Sequence, residues 1–430
     1  MSEDVEQRIY RIFDPAGPLH EEQMNLYVEL DPVRGDADVV NGLAKRIELS
    51  DSETCQAITG HRGSGKSTEL LRLKKKLEDD KWFVVFCECR KDVDFNDVDF
   101  PDVMISILRQ MAEQLKDREE ISLKPGYFKD RLGRFKELLF TEIDLEKISF
   151  DAGLLKLTTA LKSGPDMREE IRKALEPDTA NWIDAANEYI GVAIDELTQR
   201  GYNGLVIIVD DLDKMITRPM EKGEFTTSEH LFIIRHSQIS AFKCHTIFTM
   251  PLELVYSHKE PEIANRFGGH PCVIPMTKIR EKPPSKEEVK EGMDKFRELI
   301  QKRLEKAEAD SKDVFEEGIE DQLIRLSGGQ PSELMIIIRE ALISKGLPIT
   351  SEAVKRVERA GREAYRRQIR SDYWPILEEV KDNGIFTRTI DREVAIRELL
   401  DSRAILQYIN EEEWYALNPY IIELENPDKP

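Results

Sequence analysis

Gly60-His61-Arg62-Gly63-Ser64-Gly65-Lys66-Ser67, followed by Thr68, reads G-x-x-x-x-G-K-S. This is the pattern of a phosphate-binding loop, and the residue types follow from the chemistry. The glycines let the backbone turn tightly and bring its N–H groups against phosphate oxygens. Lys66 reaches the β and γ phosphates as a point charge, and Ser67 offers a hydroxyl to Mg²⁺. A helix that starts near Ser67 aims its positive end at the same anion. The flanking sequence supplies the context the pattern needs. Cys55 to Thr59 has the composition of a short strand, and Leu70, Leu73 and Leu77 recur at helical spacing.

A second stretch, Leu205-Val206-Ile207-Ile208-Val209-Asp210-Asp211-Leu212-Asp213, reads as a buried strand with carboxylates at its C-terminal end. Open α/β sheets bind their ligands there. Asp210 is expected to hold Mg²⁺ through water, and Asp211 to orient the attacking water. His245 to Met250 and Pro271 to Met276 read as further strands. Thr249, at the end of the first, is a candidate γ-phosphate sensor, although ordinary strand composition explains a threonine equally well. Arg266 lies on the loop before the last strand. It is a candidate for reaching the γ-phosphate of a neighbouring subunit, against the plainer alternative of a solvated surface arginine.

The 430 residues allow two or three domains. Lys and Arg number 63 against 84 Asp and Glu, so the net charge is −21, which excludes a protein that grips nucleic acid with its whole surface. The 5 cysteines are odd in number and scattered, which argues for a reducing compartment, and a cytoplasmic location is expected. Cys87 and Cys89 read as core packing rather than as a metal pair. No apolar run is long enough to span a bilayer, and the acidic N-terminus lacks a signal-peptide pattern.

Four regions follow. Residues 1–50 form a lead-in, in which Tyr27, Val28 and Arg34 are candidates for holding adenine or simply for packing. Residues 51–280 form the nucleotide-binding core, with an insertion over about 118–198 in which Glu146 to Leu157 looks strand-like. The Pro-rich Glu281 to Lys286 opens a helical region, 281–370. Within it, Gly328-Gly329-Gln330-Pro331 allows a sharp entry into the next helix. Residues 371–430 carry helical patterns and then a strand pair, the order of a winged helix with an acidic turn at Glu411 to Glu413. The helix through Arg359, Arg362, Arg366, Arg367 and Arg370 is the one local basic stretch. It suits phosphate, an acidic partner face or plain solvation.

These motifs together resemble the P-loop ATPases of the STAND and AAA+ superfamily over about 27–345, and more loosely beyond. The form Asp210-Asp211-Leu212-Asp213 is like that of STAND members, and Gly329-Gln330-Pro331 looks like the Gly-x-Pro motif of their helical lid. The resemblance implies an α/β P-loop NTPase with a five-stranded parallel sheet, a helical lid and a C-terminal winged helix. It also implies that ATP and Mg²⁺ bind between core and lid, with Pro331 facing the nucleotide. Ser332, not an arginine, follows that proline, which fits a slow switch better than a fast motor. The expected function is an ATP-binding, slowly hydrolysing switch in prokaryotic signalling or antiviral defence. It would self-associate and act through a protein effector or sensor. The alternative is a DNA-binding ATPase of initiator, loader or transposition-regulator type, using the Arg359–Arg370 helix.

Overall fold

Every residue of Gly204–Asp210 is buried. A continuous apolar strand of this kind is stable only when both sheet faces are covered. In the computed structural model it is an interior strand of a parallel sheet. The strands are β1 (Cys55–Gly60), β2 (Trp82–Glu88), β3 (Gly204–Asp210), β4 (His245–Thr249) and β5 (Cys272–Ile274), in the spatial order β2-β3-β4-β1-β5. The structure describes the chain apart from residues 1–3, 18, 20, 36–37, 122–149, 221–224, 286 and 427–430.

The strand order positions the site. β2 and β3 pair in register along their whole length, and β4 pairs with β3 on one side and β1 on the other. From β1 the chain crosses over β4 and β3 to reach β2, and it later returns to place β5 on the far side of β1. β1 therefore lies at a topological switch point, where a crevice opens beyond the strand ends. Only β4 separates the C-terminal ends of β1 and β3.

Alternation along the strands fills two cores. Val206 and Ile208 face α2 (Val39–Glu48) and α3 (Lys66–Asp79), packing with Leu43, Leu70 and Leu73. Ile207 and Val209 face α4 (Phe100–Glu119), which is backed by α5 (Phe150–Ser163), α6 (Pro165–Leu175) and α7 (Thr179–Gln199). The strand-like reading of Glu146 to Leu157 is corrected where it is described. Residues 150–163 are helix, and Leu154, Leu157 and Leu161 are buried at helical spacing. Residues 146–149 lie outside the described residues, as does most of the first half of the 118–198 stretch.

After α8 (Glu260–Arg266) and β5 come the longer helices α9 (Lys290–Lys306), α10 (Ile319–Ser327), α11 (Pro331–Lys345) and α12 (Ser351–Gln368), with a single turn at Ser311–Val314 between the first two. Their core includes Phe296, Ile300, Leu323 and Ile337, and it takes in Ile9 of α1 (Val5–Ile12) and Phe13 at the end of that helix. The start of the chain thus packs on these helices. Then α13 (Trp374–Asn383) and α14 (Glu393–Asp401) precede the antiparallel hairpin β6 (Ile405–Ile409) and β7 (Glu413–Leu417), around a core with Trp374, Leu377 and Leu399. The hairpin is tied to the sheet side of the molecule, because Met276 donates its N–H to the Gln407 carbonyl at 2.9 Å. Among the described residues, no helix is long and apolar enough to cross a membrane.

Candidate functional site

β1 ends at Gly60 and α3 begins at Lys66, with Gly65 in the left-handed region (φ 102°) at its N-cap. Strand, glycine turn and helix N-terminus are the local structure the loop motif requires. Gly63 is also left-handed (φ 81°), and a Cβ there would lie 1.8 Å from Ser332 Oγ. The loop and the start of α11 approach too closely for any side chain at this position. Gln330 Nε2 donates to the Arg62 carbonyl at 2.7 Å, and Pro331 is the first residue of α11. Proline costs nothing there, since the first helical N–H has no intrahelical acceptor.

Lys66 is 5 % exposed and its ammonium is fully satisfied. It donates to the carbonyls of Gly60 (2.7 Å) and His61 (2.9 Å) and pairs with Asp213 Oδ2 at 2.8 Å. Three donors meet three acceptors. Only Asp213 among these is an anion. Sequence reading assigns Asp213 no role; the one signal is a third carboxylate just past the pair.

Asp210 is buried, accepts from the Asp211 N–H at 2.7 Å and has the Ser67 hydroxyl beside it. Burial first, then the neighbouring Asp211 and Asp213 charges, push its pKa up to about 6. A hydroxyl and a carboxylate side by side fit Mg²⁺, which keeps several waters and takes few protein ligands. Among the described residues, no group of three or more His, Cys, Asp or Glu forms a complete metal cage. Ser67 and Asp210 would hold the ion together with phosphate and water, and the ion would neutralise charge on the phosphates.

Asp211 is left-handed (φ 74°), a strained conformation for a residue with a side chain. Its carboxylate pairs with Lys214, and Arg90 Nε lies 3.4 Å from its other oxygen. Thr249 sits between the ends of β1 and β3. Its hydroxyl accepts from the Leu212 N–H at 2.9 Å and donates to the Val209 carbonyl at 3.4 Å. In this arrangement Thr249 braces the acidic turn.

Arg34 is 2 % exposed and donates from Nη2 to the Ser64 carbonyl at 2.6 Å and from Nε to Thr277 Oγ1 at 3.3 Å. It braces the loop and lines the same cavity as Lys66. Tyr27 and Val28 line a cavity of about 490 Å³, together with Lys66, Ser67 and Thr68 of the loop and Ser332 of α11. That volume lies in the range of small-molecule sites.

His61 has a partner that sequence reading does not find. It is buried, and its Nε2 accepts from the Gln407 N–H of β6 at 3.0 Å. Burial, then the charges of Lys66 and Arg403, push its pKa down to about 3, so the ring is neutral and can accept. Arg62 is exposed and reaches the Lys214 carbonyl at 3.3 Å.

Arg266 is not brought to this cleft. It pairs with Glu262 at 2.7 Å and lines another cavity with Arg46, Cys55 and Thr246. Cys55 opens β1, so that cavity lies at the opposite end of the sheet from the loop.

No family model matches the chain, and no curated protein does. Solved structures of similar arrangement exist. The Walker-type ATPase PABY2304 of Pyrococcus abyssi aligns over 96% of this chain and 98% of its own, at 13% identity and a TM-score of 0.45. The Aeropyrum pernix ORC2 protein, in ADPNP–ADP complexes, aligns over 95% of this chain and 93% of its own, at 11% identity and 0.39. The Aeropyrum pernix ORC1 protein in complex with DNA aligns over 94% and 91%, at 13% identity and 0.36.

The basic helix α12 buries only Ala353 and Val354 along its length. Arg362 is shared between Glu358 and Glu423, Arg366 pairs with Glu363, and Arg370 with Asp372. Arg359, Arg366 and Arg367 are exposed.

Proposed function

We propose that this chain is a Mg²⁺-dependent ATPase of slow turnover that works as a conformational switch. Residues 51–280 act as its nucleotide-binding core, 281–370 as its lid and 371–430 as a winged-helix-like module. The observation that carries the reading is the state of Lys66. A buried ammonium held by loop carbonyls and one exchangeable carboxylate, Asp213, is a phosphate site closed upon itself. ATP enters between loop and lid, Lys66 passes from Asp213 to the β and γ phosphates, and Ser67 with Asp210 holds the metal. Asp211 orients the attacking water. Pro331 and Gln330 report on the loop to the lid, and Arg266 is free to act only on a neighbouring subunit. Phosphate release by the purified chain tests this. Release should require Mg²⁺, stop with a chelator, and be lost in Asp211→Asn. Release that survives the chelator overturns it.

For the setting, a DNA-associated ATPase of initiator or loader type is placed ahead of signalling or defence through a protein effector. The latter rests on the Asp-Asp-Leu-Asp and Gly-Gln-Pro resemblance, the net charge of −21 and the acidic turn at Glu411 to Glu413. The former has the exposed arginines of α12 beside a helix-helix-hairpin module. Duplex binding that weakens steeply with salt, with a smaller salt slope in an Arg359/Arg366/Arg367 triple alanine variant, is the expected outcome. No binding at low salt would return the protein-partner setting to first place.

A further inference from the structure

Arg403 comes from the C-terminal module, in the turn between α14 and β6, yet it lines the same cavity as Lys66 and Ser332. Its backbone is left-handed (φ 61°), a conformation that a residue with a Cβ adopts only at a cost. The surroundings hold it there. The Arg403 carbonyl accepts from Asn418 Nδ2 at 3.1 Å and from Tyr365 Oη at 3.3 Å, and the Asn418 N–H donates to the Ala404 carbonyl at 2.9 Å. Strain maintained by this many contacts is characteristic of positions with a task.

The side chain is held much less firmly. Its partner is Glu333, in the first turn of α11, and the closest approach is 3.7 Å, outside hydrogen-bonding distance. A guanidinium with five donors is thus anchored at its root and loosely paired at its tip, on a wall shared by that cavity and a neighbouring one lined by Glu333 and Tyr365. Four residues further on, Gln407 holds His61 of the loop, so the root of the hairpin and the phosphate loop are physically joined.

Building on the nucleotide reading above, we propose that Arg403 is the residue that distinguishes triphosphate from diphosphate. With ATP bound, its guanidinium leaves Glu333 for the γ-phosphate. With ADP bound, no anion lies within its reach and it stays on Glu333. The C-terminal module then docks against the core differently in the two states.

Calorimetric titration with Mg-AMPPNP and Mg-ADP tests this, using the full chain and the variants Arg403→Gly, Arg403→Lys and Glu333→Gln. Glycine accepts the left-handed backbone, so the carbonyl contacts persist while the cation is lost. One charge-assisted contact amounts to roughly tenfold or more in affinity. Arg403→Gly should therefore lose about that factor for AMPPNP and stay within about twofold for ADP. Arg403→Lys should recover part of the loss, and Glu333→Gln should widen the preference for the triphosphate. Equal losses for both nucleotides, or none for either, overturn the proposal while leaving the nucleotide reading intact. Wild-type chain that binds neither nucleotide overturns both.

Discussion

The two ends of the sheet make an instructive contrast. At the C-terminal ends of the strands lies a cavity of about 490 Å³, and at the N-terminal ends a larger one of about 720 Å³. Both contain cations. In the larger, Arg266 is already paired with an acid of its own helix, one turn away. In the smaller, Lys66 is buried and held by backbone carbonyls, and its one ionic partner, Asp213, comes from a different strand end. Size does not distinguish a site here. Convergence does, because groups from β1, β3, α11 and the hairpin meet at one loop and leave a charge that a ligand can take over.

The contrast can be broken or sharpened by mutation. The largest effect is expected at Asp210. Asp210→Asn should lower Mg²⁺-dependent phosphate release by about 100-fold or more, the scale of losing an electrostatic element of the transition state. The same change should raise the melting temperature of the ligand-free chain at pH 7.5. The folded pKa of Asp210, about 6, lies above the ordinary carboxylate value. Its contribution to stability is therefore present at low pH and lost as pH rises through about 6, so the charged form is a burden that asparagine removes. A melting temperature that falls instead would contradict this account of the buried acid.

The same titration predicts a pH dependence. Below about 6 Asp210 is protonated and cannot serve a cation, so the Mg²⁺ concentration for half-maximal phosphate release should rise as pH falls from 7.5 to 5.5. A flat profile would remove Asp210 from the metal site.

Asp213→Asn comes next, with two effects of opposite sign. Taking away the carboxylate leaves a buried ammonium without its anion, so the ligand-free chain should lose stability by roughly 3 kcal/mol. With no anion to displace, ATP should bind several-fold more tightly. Denaturant melts and nucleotide titrations read the two effects separately, and weaker ATP binding would make Asp213 a ligand rather than a placeholder. The smallest effect belongs to the far end of the sheet. Arg266→Ala should leave ATP affinity of the dilute, single chain within about twofold, because a solvated surface pair contributes little. A large loss would join the two ends in a way this structure does not.

What could be read in the sequence followed local rules. The glycine loop, the buried strand ending in Asp210 and the helix starting with Pro331 each announce themselves within a dozen residues. So does the strand pair near the C-terminus. The stretch 150–157 was misread because a few apolar residues in a row do not separate period 2 from period 3.6. The helix continues to Ser163, and it is the leucines at 154, 157 and 161 that decide. Asp213 and Arg403, and the partners of Arg34 and His61, are not legible in the sequence, because what joins them is long-range. His61 and Gln407 are 346 residues apart in the chain, and no periodicity predicts that a loop histidine will accept from a hairpin N–H.

We propose above that Lys66 is a phosphate ligand held in reserve by Asp213. Isothermal titration of Mg-ATP into the wild-type chain and into Lys66→Ala tests it most directly. Saturable binding to one site per chain in the first and none in the second is the predicted result. No heat with the wild type, or the same affinity in both, would contradict it.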